Sequence, residues 1–227
     1  MAQTAESAPL PNPLIIPLGD HGLLVRFAIA LSDRANLATV AFARRLREQM
    51  PEGVTEIDPN LVSVLLKYDP ARIAFDQLAG EVRLLIGSPD GRKGARPKRY
   101  RIAVIFGGEE GPDLDEVAAA LKLAPSAFIA EHNARPLRVL TTGFAPGFVY
   151  CGFHPEHLEL PRRSSVRPLV PAGTVLFAAG QTAITATSIP TGWYVIGQTD
   201  FRNFDAERDP PTQLREGDEV LFEAAKK

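Results

Sequence analysis

Between Leu14 and Leu31 the odd positions Leu23, Val25, Phe27 and Ile29 are bulky and apolar, and Leu24, Arg26 and Ala28 between them are mixed. This period of two marks a strand buried on one face. Gly19-Asp20-His21-Gly22 interrupts the run and predicts a turn between two strands. Ser32 or Asp33 can accept the free N–H groups of a following helix, which carries Leu37, Val40, Ala41 and Leu46 on one side and stops before Pro51. Val54–Ile57 and Leu61–Lys67 read as a second strand pair about Asp58-Pro59-Asn60, where Pro presets φ and Asn tolerates turn conformations. Asp69-Pro70 opens a second helical stretch, with Ala71, Phe75, Leu78, Val82 and Leu85 at helical spacing and Gly87 at its end. The order ββαββα predicts a small α+β domain over residues 1–90, with its helices on one face of the sheet.

Ser88 to Arg101 breaks the pattern, holding Arg92, Lys93, Arg96, Lys98, Arg99 and Arg101 without an acidic residue after Asp90. It is read as a domain boundary, either a solvated linker or a docking surface for an acidic partner. A second domain follows over residues 98–227. It opens with a strand that turns Ile102, Val104 and Phe106 one way, then a helix from Pro112-Asp113 with Leu114, Val117, Ala118 and Leu121 as its buried stripe. A short helix from Pro125 to His132 comes next, and from Leu137 onward short alternating runs punctuated by Gly and Pro read as mainly β.

Composition narrows the function classes. The chain has 227 residues, 45% hydrophobic and 23% charged, which suits a folded protein rather than a disordered one. Lys and Arg total 25 against 27 Asp and Glu, a net charge of −2, so no global positive field gathers nucleic acid or an acidic membrane. No apolar run approaches the ~18 residues that cross a bilayer, and MAQTAESAPLPNP lacks the basic and apolar parts of a signal peptide, so a cytoplasmic location is expected. The single cysteine, Cys151, excludes an internal disulfide and any zinc site of several thiolates.

Common catalytic signatures are missing. Gly87-Ser-Pro-Asp-Gly91-Arg-Lys93 has the composition of a phosphate loop without its spacing, Gly107-Gly-Glu-Glu-Gly111 is not a dinucleotide turn, and no nucleophile elbow occurs. His154 and His157 could clasp a metal, but Pro155 opposes the regular helix that would aim them together, which favours a surface loop and no metal site. Cys151 in a strand-like run reads as a small buried hydrophobe. The unusual text lies between Gly143 and Thr199. Phe144, Phe148 and Tyr150, interleaved with Pro146 and Gly147, either wall a planar ligand or pack a tight turn on itself. Arg162, Arg163 and Arg167 offer forks for a carboxylate or phosphate, or are solvated surface residues. Gln181 and Thr182 can donate to and accept from a neutral amide. Trp193 belongs to a core or to a pocket wall.

Read together, Gly143-Phe-x-Pro-Gly-Phe-x-Tyr150, Pro161-Arg-Arg163, Arg167, Val170-Pro-Ala-Gly173, Gly180-Gln-Thr182, Gly192-Trp193 and Ile196-Gly197-x-Thr199 resemble the allophanate hydrolase subunit 1 family, which includes the B subunit of 5-oxoprolinase and the sporulation kinase A inhibitor. Gly107-Gly-x-x-Gly-Pro-Asp-Leu114, Glu131-His132, Phe204-Asp205 and Leu214-x-x-Gly-Asp218 also fit. The resemblance implies an α+β N-terminal domain followed by a mainly-β cyclophilin-like barrel. It implies a carboxyltransferase-like subunit 2 as partner, akin to the C subunit of 5-oxoprolinase, with a third subunit in the 5-oxoprolinase branch. The activity it implies is ATP-dependent opening of the lactam of 5-oxo-L-proline to L-glutamate, ATP serving the complex rather than this chain alone. Two other activities occur under the same resemblance: a biotin-dependent carboxyltransferase acting on urea-type amides, and inhibition of a histidine kinase. For lactam opening, Gln181 and Thr182 are expected to hold the amide, Arg162 and Arg163 to meet a carboxylate or phosphate, and Phe144, Pro146, Gly147, Phe148, Tyr150 and Trp193 to shape the wall. His132 is expected either to carry a proton, with a pKa near neutrality, or to be a satisfied helix-end histidine. Two blocks depart from the family. Ala183-Ile-Thr-Ala186 stands where Gly-Ile-Tyr-Pro is common, and Pro190-Thr-Gly-Trp193 where Pro-Gly-Gly-Trp is common, so a ring and a turn glycine are lost.

Overall fold

A computed structural model describes residues 12–87 and 97–225. The chain divides into two compact units, Met1–Arg96 and Pro97–Lys227.

In the first unit, β1 (Leu14–Leu18), β2 (Gly22–Arg26), β3 (Val54–Pro59) and β4 (Ser63–Tyr68) form an antiparallel sheet in the order β1-β2-β4-β3. Val25 lies opposite Ile15 and Val64, so the alternation seen in sequence becomes one face of Leu23, Val25, Val64 and Leu66, all without solvent exposure. Helices α1 (Asp33–Glu48) and α2 (Phe75–Gly87) cover that face with Phe42, Ala43, Leu46, Leu78, Ala79 and Val82. Ser32 caps α1 by accepting from the Ala35 N–H at 3.2 Å.

Several expectations shift here. Strand β2 ends at Arg26, and Ile29 is left 91% exposed. The buried face of α1 is Ala35, Asn36, Thr39, Phe42, Ala43 and Leu46, with Leu37 outside. The stripe is anchored by Phe42 against Phe27, and it includes two polar residues whose bonds are made internally: Asn36 Nδ2 donates to the Leu61 carbonyl and Thr39 to that of Ala35. Counting apolar positions therefore misplaced it. Strand β3 runs through Pro59, and the turn follows it. Helix α2 starts at Phe75, because Asp69 folds its own turn, its carboxylate accepting from Ala71 N–H and its carbonyl from Arg72 N–H. Of the basic stretch, residues 88–96 lie outside the described residues. Arg99 and Arg101 stand on a strand, paired with Glu219 and Glu223, so the missing acid is supplied from far along the chain.

The second unit contains a closed barrel in the order β10-β7-β6-β13-β5-β12-β9. Its strands are β5 (Arg99–Phe106), β6 (Leu137–Thr142), β7 (Val149–Gly152), β9 (Thr174–Ala178), β10 (Gln181–Ile184), β12 (Tyr194–Gln198) and β13 (Glu219–Ala224). Two further strands, β8 (Arg167–Val170) and β11 (Ile189–Thr191), make a separate ribbon. The fold class is therefore an α+β unit followed by a mainly-β barrel, as the resemblance implied. Because side chains alternate across a strand, the barrel wall has two faces. Val149, Cys151, Val175, Phe177, Ile184 and Ile196 point into one core, which α3 (Leu114–Ala120) and α4 (Pro125–His132) complete with Leu114, Val117 and Phe128. Cys151 is fully buried there, and burial pushes its thiol up to about 12, which fits packing and not nucleophilic chemistry. Leu176, Ala178, Ala183 and Val195 point outward and form a second core with Phe148, Trp193 and the ribbon residues Val170 and Ile189.

Candidate functional site

The outer face of the barrel carries a continuous row of rings. Phe144 and Phe148 have centroids 5.5 Å apart, Phe148 and Tyr150 4.7 Å, and Tyr150 and Trp193 5.9 Å. The Arg162 guanidinium lies over Trp193, 5.7 Å from the ring centroid. Both sequence readings of the aromatic loop hold at once. The loop is a tight turn, with Gly143 N–H donating to the Phe148 carbonyl and Phe148 N–H to that of Ala145, and it presents one ring to solvent. Phe144 is 72% exposed at φ +75°, a left-handed conformation that costs energy for an aromatic residue. Pro146 is exposed in the turn, while Phe148 is buried and belongs to the core under the row rather than to a wall. Trp193 is both core and wall, packed in the second core with its ring under Arg162.

Gly147 explains why the loop sits where it does. At φ +68°, a Cβ on it would lie 2.4 Å from Phe204 Cβ, and its carbonyl accepts from Asn203 Nδ2 at 3.1 Å. Asn203 is 1% exposed, and its Oδ1 accepts from Leu214 and Gln213 N–H groups, so it ties the aromatic loop to the segment that precedes β13. Gly147→Ala is expected to lower the melting temperature and to abolish the Phe144–Phe148 ring contact, read as loss of ring-current shifts in NMR spectra. An unchanged spectrum would refute the packing argument.

Gln181 shares this outer face. It stands two residues along β10 from Ala183, which is paired with Tyr150. It is 6% exposed, and its Oε1 is buried without a hydrogen-bond partner, which costs about 1–3 kcal/mol. Burial raises the Tyr150 hydroxyl's pKa, and nearby Arg162 opposes the rise. Thr182, expected beside Gln181 on a ligand, points the other way into the barrel. Adjacent strand residues cannot grip one small group from the same side.

The arginines also separate. Arg167 makes a bidentate pair with Asp113, at 3.0 and 2.9 Å, and Arg163 Nη1 lies 2.7 Å from Asp113 Oδ1. Asp113, 5% exposed, further accepts from the Val195 N–H at 2.7 Å. Burial raises the Asp113 carboxyl, but Arg167, the Val195 N–H and Arg163 together outweigh it and hold the group below the usual carboxylate range. Arg163 therefore fastens the 161–167 loop to the barrel instead of meeting a ligand. Arg162 is the expected anion-binding arginine that remains exposed.

Inside the barrel lies an arrangement that sequence reading missed. His132 Nε2 and His154 Nε2 each stand 2.8 Å from Thr182 Oγ1, and His132 Nδ1 is 2.7 Å from Asn133 Oδ1. With Asn133 Oδ1 as acceptor, His132 carries its proton on Nδ1; Thr182 then donates to His132 Nε2 and accepts from His154 Nε2–H. Burial pushes His132 down to about 4, against a smaller upward effect of Asn133. Burial, His132 and Arg135 push His154 down to about 2. Both rings are neutral at pH 7, and His132 is enclosed by Phe106, Phe128, Phe177 and Phe222. This corrects the expectation of a proton carrier near neutrality: His132 is a satisfied core histidine on the opposite side of β10 from Gln181. The surface-loop reading of His154 and His157 holds for His157, exposed beside Glu131, and is corrected for His154, which is 7% exposed inside the barrel. Pro155, read as a loop marker, turns the chain so that the two imidazoles diverge.

Among the described residues no three His, Cys, Asp or Glu side chains cluster to hold a metal, and no helix is long and apolar enough to cross a membrane. A cavity of about 290 Å³ lies apart from the aromatic row, beside β5 and the end of β12, lined in part by Arg101, Ala103, Ile105, Gln198 and Phe201.

The sequence matches the profile of the carboxyltransferase domain, subdomains C and D, over residues 13–214. A protein of Bacillus subtilis (strain 168) named as the B subunit of 5-oxoprolinase is 34% identical over 215 residues, 90% of either chain. A protein of the same name from Haemophilus influenzae is 32% identical over 212 residues, 92% of this chain and 96% of its own. The solved structure of TTHA0988 superposes with a TM-score of 0.78 at 35% identity, over 91% of this chain but 40% of its own length, so this chain spans less than half of that protein. Urea carboxylase of Kluyveromyces lactis shares the fold, with a TM-score of 0.74 at 15% identity over 94% of this chain and 22% of its own. With a family match along most of the sequence and two relatives aligned over at least nine-tenths of it, this chain belongs to the family of the carboxyltransferase domain, subdomains C and D.

Proposed function

We propose that this chain is a subunit of a 5-oxoprolinase assembly, whose outer-face hollow holds the flat lactam ring of 5-oxo-L-proline while ATP-dependent ring opening to L-glutamate is completed with partner subunits. The observation that carries this is the row of Phe144, Tyr150 and Trp193, supported from beneath by the buried Phe148 and flanked by the exposed Arg162 and the unpaired acceptor of Gln181. A planar, weakly polar ring stacks on such a surface, and its carboxylate meets the Arg162 guanidinium. Two relatives named as the B subunit of 5-oxoprolinase support the assignment. Urea is neutral and would leave Arg162 without a partner, so the likeness to urea carboxylase is taken as one of fold.

A lactam is a stabilised amide, and its opening at neutral pH needs activation of the carbonyl. ATP is the activating co-substrate in this proposal. Arg163 and Arg167 are committed to Asp113, so phosphate handling is assigned to the partner subunits, a carboxyltransferase-like subunit and a third chain. This chain's residues bind and orient: the aromatic row covers one face of the ring, and Arg162 fixes the carboxylate. With the assembled subunits, ATP-dependent glutamate formation is expected to fall at least tenfold in kcat/KM for Arg162→Ala and for Gln181→Ala. Wild-type rates for both variants would remove the hollow from the reaction.

A further inference from the structure

We propose that the hollow recognises the ring N–H of its ligand, with Gln181 Oε1 as the acceptor, and so takes cyclic secondary amides bearing a carboxylate while rejecting their ring-oxygen and N-alkyl counterparts. The inference rests on the proposed lactam site and adds the group that selects within it. Gln181 is 6% exposed, and its Oε1 has no partner. Native proteins rarely leave such an atom unpaired, and an acceptor is relieved only by a donor. A carboxylate offers no donor and is repelled, so the ligand's anionic end goes to Arg162. The lactam N–H, on the ring atom next to the one that bears the carboxylate, is left for Gln181. The two residues share one neighbourhood: Arg162 lies over Trp193, whose ring packs on Tyr150, and Gln181 stands on the same sheet face, two residues along β10 from Ala183, the partner of Tyr150. Oε1 is covered in the free chain, so the donor reaches it by a turn of the terminal amide.

Trp193 is the one tryptophan of the sequence and lies under Arg162, so its fluorescence reports on the hollow. The full chain is titrated with 5-oxo-L-proline, with its N-methyl derivative and with the lactone in which oxygen replaces the ring N–H. The two analogues are expected to bind at least tenfold more weakly than the lactam. In Gln181→Met, which keeps the length of the side chain without the acceptor, the three affinities should converge. In Arg162→Ala all three should weaken together and keep their ranking. Equal affinities in the wild type would overturn N–H recognition and leave the lactam site standing. If none of the three compounds binds the chain, or acts as substrate or competitor in the complete assembly, the lactam site falls and N–H recognition falls with it.

Discussion

Asp113→Ala is expected to cost about 3 kcal/mol and to lower the melting temperature of the barrel unit by roughly 10 °C. The carboxylate is 5% exposed and holds Arg167, Arg163 and the Val195 N–H at once. Its removal strands two guanidinium groups and a backbone donor on β12. The arginine side chains keep 29% and 22% of their surface in water, which places the loss at the low end for a broken buried pair. Asp113→Asn keeps an acceptor and should lose less. Thermal unfolding followed by Trp193 emission checks this, since Trp193 stands two residues before Val195. A melting temperature within a degree or two of wild type would show that the arginines carry no weight in the fold. The pH dependence has a definite direction: the folded carboxyl lies below its unfolded value. Its contribution is complete above the ordinary aspartate range and is lost as the pH falls through the depressed folded value.

Acid should weaken the barrel from about pH 6.5 downward, through two buried histidines. His132 and His154 are held neutral at folded values of about 4 and about 2, against 6.5 when unfolded. From pH 6.5 downward the unfolded chain takes up protons that the folded chain refuses, so stability falls as the pH falls. Each imidazole contributes up to about 1.4 kcal/mol per pH unit, and the pair roughly 4 kcal/mol between pH 7 and pH 5. The loss from His132 levels off near pH 4, where the folded ring also protonates. Denaturant unfolding at pH 7, 6 and 5 measures it. Replacing one ring, as in His132→Gln, should lower the stability at pH 7 by breaking the bond to Thr182, yet halve the slope with pH. A flat profile in the wild-type chain would contradict the buried neutral pair.

How much of this was legible depended on the range of the forces involved. The period of two in Leu23, Val25 and Phe27, the Ser32 cap and the helix Pro125–His132 are local, and each appears where pattern and capping chemistry place it. The stripe of α1 was misplaced because Asn36 and Thr39 are buried by virtue of carbonyl partners, one of them Leu61, that no periodicity reveals. At the site, the aromatic loop and Arg162 were visible as text. The split of Gln181 from Thr182 was also available, since strand alternation alone puts neighbours on opposite faces. Three other residues carried weaker signals. Asp113 reads as an ordinary helix-start acid, Asn203 as a loop residue, and His154 as half of an abortive metal pair. Each takes its role from partners far along the chain, such as Arg167, Gly147 and Thr182.

By itself the sequence determined the element types, the division into an α+β part and a β-rich part, and the store of rings and guanidinium groups, because local backbone preference and hydrophobic period are written in neighbouring residues. Only the tertiary structure decided which arginine stays exposed, which histidines lose their charge and which amide keeps an empty acceptor. Closing the barrel set the inside and outside of each strand, and burial then fixed the charge and partners of every polar group on the inner face.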